Sequence, residues 1–121
     1  MGKTILVAED SESIRQLLTF TLRGAGYDVI EAIDGKDAME KVEGISADLV
    51  VTDFNMPNMG GVELTKQLRN MQAFQYTPII MLTTESQKDK VIEGKQAGIS
   101  GWIIKPFVPE KLIEIIKKLI K

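Results

Sequence analysis

Five short runs rich in Val and Ile recur along the chain: Thr4 to Ala8, Asp28 to Ala32, Leu49 to Thr52, Pro78 to Leu82 and Gly101 to Ile104. Each is too short for a stable helix and lacks helical spacing, so each predicts a buried β-strand. The segments between them carry the other periodicity. Ile14, Leu17, Leu18 and Leu22 fall at i, i+3, i+4 and i+8, and Leu64, Leu68 and Met71 at i, i+4 and i+7, the pattern of helices with one apolar face. Ser11, Asp34 and Ser86 stand where N-caps belong, Ser86 forms an S-x-x-D box with Asp89, and Pro109 can open a last helix. Gly24, Gly26, Gly44 and Gly98 supply helix stops.

Strand and helix therefore alternate five times with short connections, which predicts an α/β fold: a five-stranded parallel sheet with helices on both faces. For five such units the expected arrangement is the doubly wound (βα)5 flavodoxin-like order 2-1-3-4-5, with ligands held outside the carboxyl ends of strands 1 and 3. No linker, repeat or low-complexity stretch interrupts the 121 residues, so one domain over 1–121 without an output domain is expected.

Absent residue types narrow the chemistry. With no Cys and no His, the chain can form no disulfide, thiol nucleophile, Ser-His-Asp triad or zinc site built on the usual ligands. A formal net charge of −2 gives no basic field for nucleic acid. Nothing resembles a membrane span or signal peptide, so a cytoplasmic protein is expected. Charge is nevertheless uneven: residues 1–85 hold 7 basic and 13 acidic side chains, whereas residues 86–121 hold 8 lysines and 4 acids.

With the strand ends as a ruler, Glu9-Asp10, Asp53, Thr83-Thr84 and Lys105-Pro106 all arrive at one edge of the sheet. Clustered carboxylates raise one another's pKa and demand compensation by protons, by Lys105 or by a cation. Mg2+, a hard ion that takes oxygen ligands and keeps several waters, suits such a site. An Asp can accept a phosphoryl group there, with the metal and a lysine neutralising the transferring oxygens and Thr83 placed to bond one of them.

Those residues lie in I-L-V-A-E-D, D-L-V-V-T-D-F-N-M-P-N-M-G-G, M-L-T-T-E and A-G-I-S-G-W-I-I-K-P-F. In these motifs the whole chain resembles a response regulator receiver domain of the CheY-like, single-domain chemotaxis kind. Receiver domains are themselves an example of the 2-1-3-4-5 order, so topology and resemblance make one expectation rather than two. The resemblance implies a signalling switch of a two-component system, not an enzyme with a substrate of its own. It implies that Asp53 is the phosphoacceptor, that Asp10, Asp53 and the Asn55 backbone carbonyl bind Mg2+ with Glu9 helping through water, and that Lys105 and Thr83 hold and sense the phosphoryl group. Trp102 takes the place of a switch aromatic, Thr84 and Glu85 modulate access, and the Lys105-Pro106 bond is cis. The donor would be a histidine kinase, with a small phosphodonor as substitute and a phosphatase as a further partner. The chain departs from the common pattern in having Glu9 for Asp, Trp102 for Tyr and Thr84 for Ala.

Other functions fit less well. A phosphatase of the haloacid-dehalogenase type needs an acid two residues after its nucleophile, where this chain has Asn55. A flavin mononucleotide carrier needs a phosphate loop after strand 1, where Glu9 and Asp10 would repel the ligand. A phosphorelay intermediate and a receiver fold used only for docking stay open. Without an output domain, output must come through binding by a monomer, to a target such as a flagellar motor switch component. The lysine-rich face of helix 4, strand 5 and helix 5 is the expected surface, with Lys88, Lys90, Lys95, Lys117 and Lys118 steering an acidic partner and Trp102 and Ile113 giving apolar contact. Helix 4 has the weakest apolar pattern, Val91 and Ile92 among lysines.

Overall fold

The computed structural model describes residues 2–84 and 89–120. Five strands, β1 (Thr4–Ala8), β2 (Asp28–Ala32), β3 (Leu49–Asp53), β4 (Ile79–Thr83) and β5 (Gly101–Ile104), alternate with α1 (Glu12–Gly24), α2 (Gly35–Lys41), α3 (Gly61–Arg69), α4 (Val91–Ala97) and α5 (Pro109–Leu119). All pairings are parallel and the order is β2-β1-β3-β4-β5, as expected for the doubly wound fold. Two strand limits differ from the sequence reading. Pro78 has no N–H for the ladder, so β4 begins at Ile79 although the Pro78 carbonyl still accepts from Val50 N–H at 2.9 Å. β3 runs on through Asp53, which pairs with Leu82.

Each face of the sheet has its own core. Ile5, Val7, Leu49, Val51, Ile80 and Leu82 pack against Leu18 and Leu22 of α1 and Leu112 and Ile116 of α5. On the other face Leu6, Ala8, Val50 and Ile79 meet Ala38 of α2, Leu64 and Leu68 of α3, and Phe74. β3 and β4 are buried along their whole length because helices cover both sides. Each fully buried Leu or Ile contributes about 1.5–3 kcal/mol. Ile113 and Ile120, which widen the apolar arc of α5, are half-buried against the α1/α5 core.

Local chemistry sets the helix ends. The Ser11 hydroxyl accepts from Ile14 N–H, Asp34 caps α2 through Asp37 N–H at 2.7 Å, and Pro109 occupies the first turn of α5. The Ser86 cap lies outside the described residues. Gly98 ends α4 with φ 112°, a left-handed cap that glycine adopts without penalty. α4 buries only Val91, Gly94 and Ala97, while Ile92 is 63% exposed, in keeping with its weak pattern. The Lys105-Pro106 bond is cis. At the β2 edge, Lys41 Nζ bonds the Glu31 carbonyl at 2.6 Å.

Arg69 is a tie that the sequence does not announce. From the end of α3 its Nε and Nη2 donate to the Gly98 carbonyl at 3.0 and 2.8 Å, and Nη1 donates to the Phe74 carbonyl at 2.7 Å. One guanidinium thus fastens the C-terminal end of α4 to α3 and to the 3-10 turn Gln72–Phe74. Burial lowers its pKa. Replacing Arg69 by Ala leaves the Gly98 carbonyl without its donors and the Phe74 carbonyl with only the longer bond from Thr77 N–H at 3.4 Å, and should destabilise the fold by about 2 kcal/mol. Arg69→Lys, without the planar fork, should recover only part of that loss in denaturant melting.

Candidate functional site

Because all strands are parallel, their carboxyl ends share one edge, and the reversal of winding between β1 and β3 opens a crevice there. Glu9 and Asp10 follow β1, Asp53 closes β3, Thr83 closes β4 and Lys105 follows β5. Carboxylate oxygens of Glu9, Asp10 and Asp53 come within 4.8 Å of one another. Lys105 Nζ lies 3.0 Å from Asp53 Oδ1 and 3.8 Å from Glu9 Oε1. The structure thus brings together four of the residues named from the sequence.

Each acid is held differently. Asp53 Oδ1 also accepts from Phe54 N–H at 2.9 Å, so the lysine and this amide fix one oxygen of the carboxylate. Glu9 is buried, and its Oε2 accepts from Ser11 N–H at 3.0 Å. Glu9 Oε1 has no hydrogen-bond partner among the described residues. Asp10 is exposed at the mouth of the crevice. Burial, above all, pushes the Glu9 carboxyl up to about 7, helped by the Asp53 charge and opposed by Ser11 N–H and Lys105. Asp53 is raised as well, again chiefly by burial, with Lys105 pulling the other way.

The remaining residues surround this centre. Thr83 is fully buried, and its hydroxyl has no hydrogen-bond partner among the described residues. Asn55 is exposed in the loop after β3, two residues beyond Asp53. Thr84 shares a groove with Lys105, Pro106, Ile14 and Leu17. Glu85 lies outside the described residues, as does Lys88. Trp102 is not part of the acid cluster: it is 40% exposed on edge strand β5, with Lys95 Nζ 4.8 Å from its ring centroid.

Ile113, expected with Trp102 to give apolar contact to a partner, lies away from it and lines a hollow with Thr21 and Gly24 at the end of α1. Ile115, two residues on and so on a different side of α5, borders the grooves beside Trp102, with Val108 and Leu119. Sequence reasoning also passed over Arg15, whose Nη1 donates to the Glu9 carbonyl at 2.8 Å while Nε pairs with Glu31 at 3.4 Å. No motif marks it. Its only sign was a long cation one turn into the helix that follows the acidic pair.

A family model for the response regulator receiver domain matches residues 5–117. The chain belongs to that family. It is 43% identical over 113 residues to the chemotaxis protein CheY1 of Helicobacter pylori, covering 91% of this chain and 90% of that protein. Among solved structures, Vibrio cholerae CheY4 superposes with a TM-score of 0.94 at 41% identity, over 99% of this chain and 100% of the other. The receiver domain of the Pseudomonas aeruginosa sensor histidine kinase PA1611, solved with a magnesium ion coordinated in its active-site cleft, gives 0.90 at 28% identity over 98% of each chain. This is therefore a CheY-like receiver domain of a two-component signalling family, and none of its described helices is long and apolar enough to cross a membrane.

The crowded acids make a stability prediction for this receiver. A carboxyl harder to ionise when folded than when unfolded stabilises the fold below pH 4.5, and that contribution disappears as pH rises through about 7. Metal-free protein should accordingly lose thermal stability between pH 5 and 8. Glu9→Gln should flatten that slope and raise Tm at pH 8 by about 4 °C or more, the shift that ~1 kcal/mol produces in a domain of this size.

Proposed function

We propose that this receiver is a phosphorylation-dependent switch in which Asp53 takes a phosphoryl group from the phosphohistidine of a partner kinase and the phosphorylated form changes its affinity for a target. It would work as a monomer in the cytoplasm, with a chemotaxis role suggested by the similarity to chemotaxis proteins. The observation that carries the reading is the cluster of three carboxylates within 4.8 Å of one another, two of them paired with Lys105, whose Nζ lies 3.0 Å from an oxygen of Asp53.

The donor set fits a hard divalent cation. Three carboxylates cluster with one lysine paired to two of them, every candidate ligand is oxygen, and the buried Glu9 Oε1 lacks a partner among the described residues. Asp10, Asp53 and the Asn55 backbone carbonyl would hold Mg2+, with Glu9 acting through water. Bound there, the ion would supply the positive charge that lets an anionic phosphoryl group approach the acids.

The chain's own groups account for the remaining chemistry. The Asp53 carboxylate attacks phosphorus, the new P–O bond forms as the P–N bond to the donor imidazole breaks, and the imidazole leaves with the electron pair and takes up a proton. Lys105 moves its charge from the carboxylate to the incoming oxygens. The Thr83 hydroxyl, which has no partner among the described residues, donates to one of them. Water attack on the acyl phosphate restores Asp53, and Thr84 and Glu85 set how easily water or a donor enters. One labile phosphoryl group per chain should appear by intact mass after incubation with acetyl phosphate and Mg2+. Asp53→Asn, or EDTA, should abolish it; equal labelling of the variant would reject the assignment.

The target-facing surface would be α4, β5 and α5, where Lys90, Lys95, Lys117 and Lys118 are exposed, Lys95 over the Trp102 ring and Lys118 bordering the groove of Trp102 and Ile115. A coupling of about 1–3 kcal/mol suffices to make binding respond to phosphorylation. Beryllofluoride should change Trp102 fluorescence by shifting the ring between exposed and buried positions. Paired Lys95→Glu and Lys118→Glu should weaken an acidic target about tenfold at low salt without affecting acetyl phosphate labelling. A target footprint on α2 and α3 by chemical-shift mapping would remove this surface from the model of action.

A further inference from the structure

Asp34 is a buried acid outside the acid cluster, and both of its oxygens are engaged. Oδ1 accepts from Asp37 N–H at 2.7 Å, the cap of α2. Oδ2 accepts from the Asn58 side-chain Nδ2, also at 2.7 Å, across 24 residues of sequence. Asn58 lies in the β3–α3 loop, three residues beyond Asn55, with φ 67°, in the left-handed region that Asn enters more readily than other non-glycine residues. A second contact runs beside the first: Gly35 N–H donates to the Met59 carbonyl at 3.0 Å, and a Cβ on Gly35 would come within 2.6 Å of that oxygen. The turn after β2 and the loop after β3 are thus joined across the end of β1, which carries Glu9 and Asp10.

Inside the loop the ties are few. Met59 N–H bonds the Pro57 carbonyl at 2.7 Å and Gly61 N–H bonds the Phe54 carbonyl at 3.0 Å. The near half of the loop is held on either side of Asn55, by Phe54 N–H on the Leu82 carbonyl at 2.9 Å and by Met56 packed against the core under α2 and α3. The anchor that holds the far half of the loop is the Asp34–Asn58 bond with its Gly35–Met59 companion.

We infer that Asp34 is a positioning residue for the Asp53 site, acting through Asn58 to fix the loop that presents the Asn55 carbonyl. This rests on the reading of that site as a Mg2+-assisted phosphoacceptor. The same carboxylate that starts α2 thereby sets the geometry of a ligand it does not touch, as outer partners of metal ligands commonly do.

Three variants separate this role from the helix cap. Asp34→Ser keeps a capping oxygen but cannot reach Asn58; Asp34→Asn keeps both length and cap, and a flipped Asn58 amide can restore the bond. Asn58→Gly removes the side chain while suiting the positive φ. Mg2+ affinity, read by isothermal titration calorimetry, should fall about tenfold in D34S and in N58G, stay within about twofold of wild type in D34N, and fall no further in the D34S/N58G double variant. In metal-free protein, the amide resonances of Phe54, Asn55, Met56 and Met59 should move in D34S and N58G alike. Unchanged affinity in D34S, or a loss in D34S that N58G does not share, would overturn the inference and leave the Asp53 site standing. Wild-type protein that binds no Mg2+ would overturn the site reading and this inference together.

Discussion

The ammonium of Lys105, 3.0 Å from Asp53 and 3.8 Å from Glu9, is the interaction on which the arrangement of strand ends depends. Three acids at the end of a parallel sheet repel, and burial of two of them makes ionisation harder still. A single lysine cannot neutralise three carboxylates. The folded chain therefore holds an uncompensated cluster that any added cation relieves, and the cost of assembling it falls on the hydrophobic layers beneath. Those layers are thick where they need to be: β3, which carries Asp53, is buried from Leu49 to its end.

The two faces of the sheet are not equivalent. α1 and α5 rest on a continuous layer that includes Leu18, Leu22, Leu112 and Ile116. α4 contributes only Val91, Gly94 and Ala97 and relies on Arg69 to grip its C-terminal cap. Lys95 reaches from this lightly buried helix over Trp102. A displacement of α4 would thus be felt at the Trp102 ring through a contact that needs no core rearrangement, whereas a displacement of α1 or α5 would disrupt close packing.

Strand order, helix order and the cluster of Glu9, Asp10, Asp53 and Lys105 were legible in the sequence because all depend on alternation and on which residue ends each strand. Boundaries slipped where backbone chemistry intervened, as at Pro78, which looks like a strand residue by hydropathy but cannot donate to the ladder. The apolar arc of α5 makes Ile113 a candidate for apolar contact on the same face as Trp102, but an arc does not say which flank meets α1 and which meets β5. The Arg69 and Asp34 ties were invisible for another reason. Each spans more than twenty residues, to the Gly98 carbonyl and to Asn58, and a lone Arg or Asp carries no period. The sequence marks Asp34 as a cap, which accounts for the oxygen on Asp37 N–H but not for the one on Asn58.

The lysine at the β2 margin has a consequence for how copies of the chain meet. An edge strand offers unpaired amides and carbonyls to any second strand that arrives, which is how sheets grow into aggregates. Here the Glu31 carbonyl is already occupied by Lys41 Nζ, and the Glu31 side chain is paired with Arg15. An incoming strand would have to displace a bonded ammonium and then sit beside its charge. That point of the margin is guarded by a lysine from α2, beside a Glu31 side chain held from α1, so the protection exists only when those helices are folded in place.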